Sequence, residues 1–397
     1  MRMGRGRAVR EAAVRFVLLV LLALAPPAHA QSDFYATTRA DVEAGPPGTL
    51  IRMQPKWGAP DGAMAYRVLY RSTGLKGEPI PVSGVVIIPP GPPPPGGRPV
   101  VAWAHPTTGV VPKCAPSRQI TFFRTVQGLR GMLARGMVVT ATDYPGLGAG
   151  SIHPYLVGAS EARAVLDSVR AVGMVPSASP SASFAVWGHS QGGQAALFTG
   201  LIAKDYAPEL RLVGVAAAAP PTDLAVLLSD DISSAGGRNL TAMTLWSWSR
   251  LFNAPLTNVV TPAALPDMNE LAEDCIERFW DVLERRAPTQ ALGKRFLVDL
   301  SFADTEPWRS LLRRNSPGLL PPGLPVFIAQ GSADPLVRPD VTTGYVGNLC
   351  RHGRAVVYDV LPGVGHLFSG RDSADAAVDW MTDRFNGEPP ASTCATP

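Results

Sequence analysis

The 397-residue sequence predicts an α/β fold in which a mainly parallel sheet is covered by helices on both faces. From residue 100 onward, short apolar runs typical of buried strands alternate with longer runs that carry apolar residues at helical spacing. Over residues 223–322 this alternation stops and helical patterns follow one another. We therefore expect a core domain from residues 31–222 and 323–397, into which residues 223–322 are inserted as a helical cap or lid.

The composition indicates a folded protein that is exported. Hydrophobic residues make up 46% of the chain and charged residues 17%, which excludes an intrinsically disordered chain. Residues 1–30 are typical of a signal peptide, because arginines precede an apolar run at 16–25 and Ala28-His29-Ala30 fits a cleavage site. The run is too short to span a bilayer, so we expect cleavage before Gln31 and release to the periplasm or the medium.

The apparent basicity of the chain lies in this leader. The formal net charge is +4 and the pI about 9.0, but the leader holds five of the 36 basic residues and one of the 32 acidic ones. The mature chain is therefore formally neutral, and neither a nucleic-acid footprint nor electrostatic attachment to anionic membranes is indicated. We expect no nucleic-acid partner and no stable membrane anchor. A transient contact with a lipid interface stays open, as does the oligomeric state.

The four cysteines all lie in the mature part of the chain. An even number of cysteines in an exported protein predicts two disulfide bonds, for which three connectivities are possible. Buried free thiols are the alternative. No cysteine or histidine spacing suggests zinc, and we expect neither a metal nor an organic cofactor. The cysteines are Cys114, Cys275, Cys350 and Cys394.

The elements before residue 100 are predicted from turns and β-rich runs. Residues 31–60 have no clear period and contain several prolines, which predicts a wrapped N-terminal arm. Residues 66–71 and 79–88 are β-rich and separated by a turn-prone segment, which predicts a hairpin. The proline- and glycine-rich run 89–99 predicts a stiff surface loop, with a polyproline II ligand as the less favoured alternative.

Strands and helices then alternate along the chain. Predicted strands occupy residues 100–104, 137–141, 182–187, 212–219, 325–330 and 355–361. Predicted helices occupy residues 122–135, 159–172, 191–203 and 374–385 in the core domain, and 240–252 and 271–286 in the inserted stretch. Strands that are joined by helical crossovers run parallel, which is the basis of the predicted sheet.

The sharpest local signal is Gly188-His189-Ser190-Gln191-Gly192, between a predicted strand and a predicted helix. A serine on such a turn stands above the sheet edge, and Gly188 and Gly192 let the crowded backbones approach each other. The helix that begins at Gln191 directs its free N–H groups towards the serine. Ser190 is therefore a candidate nucleophile. The alternative is a glycine-rich turn without a chemical role.

A serine hydroxyl needs a base to remove its proton, and the base needs a carboxylate that orients it. In the chain order typical of this turn, the acid and then the histidine follow the serine. His366 lies in a glycine-rich loop after the last predicted strand, whereas His352 precedes that strand, at the wrong end. Asp334 follows the preceding strand and is the preferred acid, with Asp340 and Asp359 as weaker alternatives.

An oxyanion formed at this serine needs two backbone N–H donors. Gln191, directly after the nucleophile, is expected to supply one. The other should come from the loop after the strand 100–104, where the proline has no N–H and Thr107 is preferred, with Thr108 in reserve. His105 is expected to hold this loop and His189 to pack within the turn.

The inserted stretch contains aromatic residues at helical spacing. They form either a buried core or an apolar wall for an acyl chain, and the sequence does not separate these alternatives. The residues concerned are Trp246, Trp248, Phe252, Phe279 and Trp280.

Several of these segments together resemble the secretory lipase family, a fungal and bacterial group of exported α/β-hydrolases. The segments are WAHPTTG (103–109), CAPS (114–117), TDYPGLG (142–148), GHSQGG (188–193), GSADPLV (331–337) and GVGH (363–366). The resemblance covers essentially the whole mature chain. GHSQGG alone is generic to hydrolases, and its combination with CAPS and DYPGLG is more specific.

The resemblance implies an α/β-hydrolase fold with an inserted helical lid and a Ser190–Asp334–His366 triad. It also implies two disulfide bonds, Cys114–Cys275 and Cys350–Cys394. One departure lies in the oxyanion loop, where the similar lipases have an acidic residue and this sequence has Thr107 and Thr108. This departure leaves the preference for long acyl chains open.

The residues and the resemblance together predict a secreted serine carboxylic-ester hydrolase, a lipase or esterase that cleaves acylglycerols or other fatty-acyl esters through an acyl-enzyme. An acyltransferase that uses the same acyl-enzyme is one alternative, and a short-chain esterase without lipase activity is another. A peptidase is less favoured because no large gating domain is evident. A non-catalytic binding module is disfavoured because all three triad positions are filled.

Overall fold

The computed structural model describes residues 33–230, 232, 234–276, 292–293, 296–298 and 300–394. The predicted signal peptide and residues 277–286 of the predicted helix 271–286 lie outside these residues. In the described part of that prediction, the helix ends at Glu273 and residues 274–276 are not helical, so the predicted bounds are wrong. Thr37–Pro397 belong to one compact unit, which contains the whole sheet. None of the described helices combines the length and the apolar character needed to cross a membrane.

The strands of the described residues form one sheet. They are β1 Leu50–Pro55, β2 Met64–Thr73, β3 Pro79–Ile88, β4 Arg98–Ala104, β5 Val138–Thr142, β6 Pro180–His189, β7 Arg211–Ala218, β8 Val326–Gly331 and β9 Val356–Leu361. Their order is β1-β2-β3-β5-β4-β6-β7-β8-β9. Neighbouring strands are antiparallel from β1 through β2 and β3 to β5. In the rest of the sheet, from β5 through β4 to β9, neighbouring strands are parallel. The predicted mainly parallel sheet is therefore confirmed.

Helices cover both faces of this sheet, as predicted. Within the described residues they are α1 Arg39–Glu43, α2 Phe122–Thr125, α3 Leu129–Ala134, α4 Gly158–Val172, α5 Gln191–Tyr206, α6 Leu224–Asp230, α7 Ala235–Leu251, α8 Leu265–Glu273, α9 Trp308–Arg314, α10 Pro339–Arg351, α11 His366–Asp372 and α12 Ala374–Phe385. α4 and α5 cover one face, and α3 and α12 cover the other. Successive residues of β4 alternate between the two cores: Val100 and Ala102 belong to one, Val101 and Trp103 to the other.

Two predicted elements that precede β5 differ from the structure. The predicted arm contains β1, which pairs antiparallel with β2 and is largely half-exposed, so its sequence lacks the apolar run of a buried strand. The predicted helix 122–135 is two helices, α2 and α3. Gly128, between them, has a φ of 77°, and a Cβ there would lie 2.9 Å from a methyl carbon of Val378. Glycine at position 128 allows both the left-handed turn of the chain and the close approach of α12.

The described residues between β7 and β8 include the four helices α6 to α9, and β7 and β8 are neighbours in the sheet. Trp248 is fully buried there and stacks on Trp308, with ring centroids 6.3 Å apart. Trp246 is also buried, and its Nε1 donates to Asn269. Both are core residues, and Phe252 packs edge-on against Trp248. The other two aromatic residues of interest, Phe279 and Trp280, lie outside the described residues.

Both disulfide bonds have the pairing that the resemblance implies. Cys114–Cys275 joins the loop before α2 to the segment after α8, and Cys350–Cys394 fastens the C-terminal segment to the end of α10. The sequence separations are 161 and 44 residues.

Candidate active site

Ser190 lies at the sharp turn between β6 and α5. Its backbone has a φ of 57° and a ψ of −122°, a strained conformation for a residue with a side chain. A Cβ at Gly188 would lie 2.1 Å from the carbonyl oxygen of Gly192, and a Cβ at Gly192 would lie 1.9 Å from that of Ala104. The predicted need for glycine at both positions is confirmed, because each leaves room for a neighbouring backbone.

The structure brings Ser190, His366 and Asp334 together. The Ser190 Oγ lies 2.8 Å from the His366 Nε2, and the His366 Nδ1 lies 2.8 Å from the Asp334 Oδ2. All three side chains are buried. Because a carboxylate only accepts, the Nδ1 carries the hydrogen and the Nε2 accepts from the serine hydroxyl. His366 is the first residue of α11, not part of the loop predicted for it.

The Asp334 carboxylate is held in place by hydrogen bonds. Its Oδ1 accepts from the N–H groups of Leu336 and Val337, each at 2.9 Å, and its Oδ2 also accepts from the Gln330 side chain at 3.2 Å. Burial acts most strongly on the pKa of Asp334 and raises it, but His366 and the two N–H groups together outweigh burial, so the pKa lies below its usual range. Asp334 is therefore ionised at neutral pH.

The weaker candidates lie elsewhere. Asp340 pairs with Arg338 at the surface, and Asp359 lies within β9. His352 directly follows the last residue of α10, where it is exposed and its Nδ1 donates to the Asn348 carbonyl.

The two histidines that were predicted to pack are buried. The His189 Nε2 donates to the His366 carbonyl at 2.9 Å. The His105 ring lies against the Pro106 and Asp143 carbonyls, at 2.6 and 3.3 Å. Burial lowers the pKa of His189 to about 3 and that of His105 to about 4, so both are neutral over the physiological range. His105 therefore holds the loop after β4, as predicted.

The expected oxyanion donors lie on the two segments that meet at Ser190. Gln191 is the first residue of α5, and Thr107 lies in the loop after β4, where its hydroxyl bonds that of Tyr155 at 2.9 Å. Within the described part of the chain, neither backbone N–H has a hydrogen-bond acceptor. The next residue, Thr108, accepts from the N–H of Ile276 at 2.8 Å, which joins this loop to the segment after α8.

A cavity of about 230 Å³ opens above Ser190 and His366. Thr107 and Thr108 from the oxyanion loop line it, and so do residues from the stretch between β7 and β8. Its apolar lining residues include Trp103, Leu240, Ile276, Leu336 and Leu367, and its polar ones include Gln119, Gln127 and Asn239. The cavity therefore reaches the serine, and most of its surface is apolar.

The sequence profile of the secretory lipases matches residues 122–393 of this chain. The chain belongs to the secretory lipase family. It is 26% identical over 366 residues to a secreted triacylglycerol lipase of Malassezia globosa, a match that covers 85% of this chain and 74% of that protein. It is 25% identical over 372 residues to a probable inactive lipase of Mycobacterium tuberculosis, covering 86% of this chain and 79% of that one.

Solved structures share the fold of this chain. Lipase A of Candida antarctica superposes with a TM-score of 0.75 at 19% identity, covering 93% of this chain and 88% of the other. The rice cell wall degrading esterase LipA of Xanthomonas oryzae superposes with a TM-score of 0.71 at 21% identity, covering 87% of this chain and all of the other. The α/β-hydrolase fold expected from the resemblance is therefore confirmed.

Three polar residues that support the candidate site were not predicted from the sequence. Gln330 bonds Asp334 and accepts from the Thr342 hydroxyl at 2.7 Å. Glu161 and His153 both contact the side chain of Gln191. The signal for Gln330 was its place as the one polar residue that ends an apolar strand. Glu161 gave little signal, because an acid in the first turn of a helix is ordinary.

Proposed function

We propose that this member of the secretory lipase family is a secreted serine carboxylic-ester hydrolase that cleaves acylglycerols or other fatty-acyl esters. The observation that carries the proposal is the chain of two 2.8 Å contacts from the Ser190 Oγ through His366 to Asp334, at the floor of a mainly apolar cavity. Nucleophile, base and orienting carboxylate have the geometry that acyl transfer requires.

In the first half of the reaction, the Ser190 Oγ attacks the ester carbonyl carbon while the His366 Nε2 takes the hydroxyl proton. Asp334, which stays ionised, holds the imidazole in the required orientation and stabilises its cation. The oxyanion accepts hydrogen bonds from the backbone N–H groups of Gln191 and Thr107. Each bond contributes about 3 kcal/mol of transition-state stabilisation. His366 then returns its proton to the leaving alcohol, which leaves the acyl group on Ser190.

In the second half, water replaces the alcohol. His366 takes a proton from the water as the water attacks the acyl carbon. The bond between the acyl carbon and the Ser190 Oγ then breaks, and His366 gives its proton to the Oγ, which restores the serine hydroxyl as the acid leaves.

We propose that residues 223–322 form the cap of this enzyme, on a core of residues 31–222 and 323–397. Leu240 and Ile276 from this stretch line the cavity, and the Cys114–Cys275 bond ties the stretch to the loop before α2. The apolar side chains above Ser190 suit the hydrocarbon part of an ester.

Export of the protein is part of the proposal. It is supported by the leader pattern, by the family to which the chain belongs, and by two disulfide bonds that join all four cysteines.

Hydrolysis of p-nitrophenyl esters from acetate to palmitate tests the proposal. The mature protein should hydrolyse them, the Ser190→Ala variant should be inactive, and Asp334→Asn should lower kcat by about 10³- to 10⁴-fold. Asp340→Asn, the surface acid, is the matched control and should change little. Fastest cleavage of long chains indicates a lipase, and cleavage of short chains alone an esterase. Equal inactivity of wild type and Ser190→Ala on the whole series would refute the proposed function.

A further inference from the structure

A buried polar cluster lies behind Gln191, away from the reacting atoms. The amide nitrogen of the Gln191 side chain lies 2.8 Å from the Glu161 Oε1 and 2.7 Å from the His153 Nε2. All three residues are fully buried. The proposed mechanism uses the backbone N–H of Gln191 and none of these side-chain groups.

The hydrogen positions in this cluster follow from its acceptors. The His153 Nδ1 lies 2.8 Å from the Pro145 carbonyl, which can only accept, so the Nδ1 carries the hydrogen and the Nε2 has a lone pair. One amide hydrogen of Gln191 therefore points to His153 and the other to Glu161. The Glu161 Oε1 also accepts the N–H of Leu156 at 3.0 Å. Both amide hydrogens are used, which fixes the orientation of the side chain.

The same cluster reaches the other proposed oxyanion donor. The Tyr144 ring stacks on His153 at 5.7 Å, and its hydroxyl donates to the His105 carbonyl at 3.1 Å. The Tyr155 hydroxyl bonds that of Thr107 at 2.9 Å. A shift of the cluster would therefore move Gln191 and the oxyanion loop together.

Charge decides whether the cluster helps or harms the reaction. Within the described residues, the second carboxyl oxygen of Glu161 has no hydrogen-bond partner. An ionised Glu161 would put an uncompensated negative charge behind the N–H that must bind an oxyanion. Burial raises the pKa of Glu161 to about 8, so the carboxyl is protonated at neutral pH.

The groups that face Glu161 do not supply a compensating charge. His153, Tyr144 and Tyr155 come from the segment between β5 and α4, and His105 stands beyond Tyr144. Burial lowers the pKa of His153 to about 3 and that of His105 to about 4, and it raises the pKa values of both tyrosines. All four are neutral between about pH 5 and pH 9. From α5, the side chain of Gln191 donates a hydrogen bond to Glu161, and Gln191 is uncharged.

We propose that uncharged Glu161 and His153 are positioning residues for the oxyanion site, which hold Gln191 through its side chain, and that ionisation of Glu161 lowers the rate of the reaction. This inference rests on the proposed function, because it assigns a role to the residues behind the proposed oxyanion donor. It gives the enzyme an upper pH limit that is set by Glu161.

Three variants of α4 test the inference. In Glu161→Gln the amide oxygen can accept both hydrogen bonds but cannot ionise, so kcat at pH 7 should stay within about threefold of wild type. Glu161→Ala removes the acceptor and should lower kcat by about 10- to 100-fold with a smaller change in KM. Asp167→Asn, which replaces another buried carboxyl of the same helix, is the matched control and should keep the wild-type pH profile.

The pH profile of kcat is the deciding measurement. The wild-type and Asp167→Asn rates should fall by about tenfold between pH 7.5 and 9.5, and the Glu161→Gln rate should not fall over this range. An identical alkaline limb in wild type and Glu161→Gln would overturn the inference even if Glu161→Ala does not fold. That result leaves the proposed function intact when Ser190→Ala is inactive. If no Ser190-dependent hydrolysis is found, the proposed function and this inference both fail.

Discussion

Replacement of Gly192 by alanine should damage the site although it adds only one methyl group, at a residue that does not line the cavity. The added Cβ would lie 1.9 Å from the Ala104 carbonyl oxygen and 2.8 Å from that of His105. Ordinary contact begins at 3.4 Å, so helix α5 and the end of β4 would have to separate by about 1.5 Å. Both neighbours are backbone atoms, and a rotamer change cannot relieve the contact.

The consequence for catalysis follows from what these two segments carry. α5 begins with Gln191, and the chain after β4 leads to Thr107, so the separation pulls apart the two proposed oxyanion donors. A misplacement of about 1 Å lowers the rate by about 100-fold. We therefore expect kcat to fall at least about 100-fold and the free energy of unfolding to fall by about 1–3 kcal/mol. Ester hydrolysis and denaturant unfolding measure the two effects.

Gly193→Ala is the matched control, because it changes the next residue of the same helix. The nearest atoms to its Cβ, the Ala218 carbonyl oxygen and the Pro220 Cβ, lie at 3.1 Å, a contact that a shift of a few tenths of an ångström relieves. Its kcat should stay within about tenfold of wild type. A folded Gly192→Ala variant with a wild-type kcat would refute the argument from backbone proximity.

Three further predictions concern other parts of the molecule. Replacing Cys114 and Cys275 by serines should lower both the stability and kcat, because it frees the segment that is hydrogen-bonded to the oxyanion loop. Replacing Cys350 and Cys394 by serines should lower the stability alone, and thermal melts together with hydrolysis rates distinguish the two variants. The two closed loops predict entropic losses of about 5 and about 4 kcal/mol. The pKa of Glu161, raised to about 8 in the folded state, makes the wild type lose stability as the pH rises through the range above the unfolded-state pKa. The free energy of unfolding of Glu161→Gln should therefore rise relative to that of wild type by up to about 4 kcal/mol between pH 5 and pH 8. An equal pH dependence of unfolding in both proteins would contradict this prediction. Leu240→Trp should fill part of the cavity and lower the palmitate-to-acetate rate ratio, and an unchanged ratio would place the acyl chain elsewhere.

Buried strands were predictable because burial on both faces leaves an almost continuous apolar signature. β3 matches its prediction in full, and the predicted bounds of β4 to β9 differ from those observed by at most two residues at either end. β1 was missed because an edge strand that is half-exposed keeps polar residues. α10 was missed because its sequence, PDVTTGYVGNLCR, contains two glycines, two threonines and two valines, and tertiary packing outweighs their low helix propensity.

The residues of the candidate site were predictable where a local sequence pattern indicates a single chemical role. Ser190 was marked by its glycines, and Asp334 and His366 by chain order and by the ends of the strands before them. The supporting residues were not predictable, since a buried glutamic acid such as Glu161 is recognised only when its neighbours are known. The cap aromatics show the same limit: Trp248 belongs to the core because it stacks on Trp308, which is 60 positions away in the sequence.

Covalent labelling of the mature protein with a fluorophosphonate identifies the nucleophile itself and so tests whether Ser190 carries out the reaction. Peptide mapping by mass spectrometry should find one adduct, on Ser190, formed in step with the loss of ester hydrolysis. The Ser190→Ala variant should take up no label, and His366→Ala should react much more slowly. Ester hydrolysis that persists in Ser190→Ala, or inactivation by a label on another residue, would contradict the account.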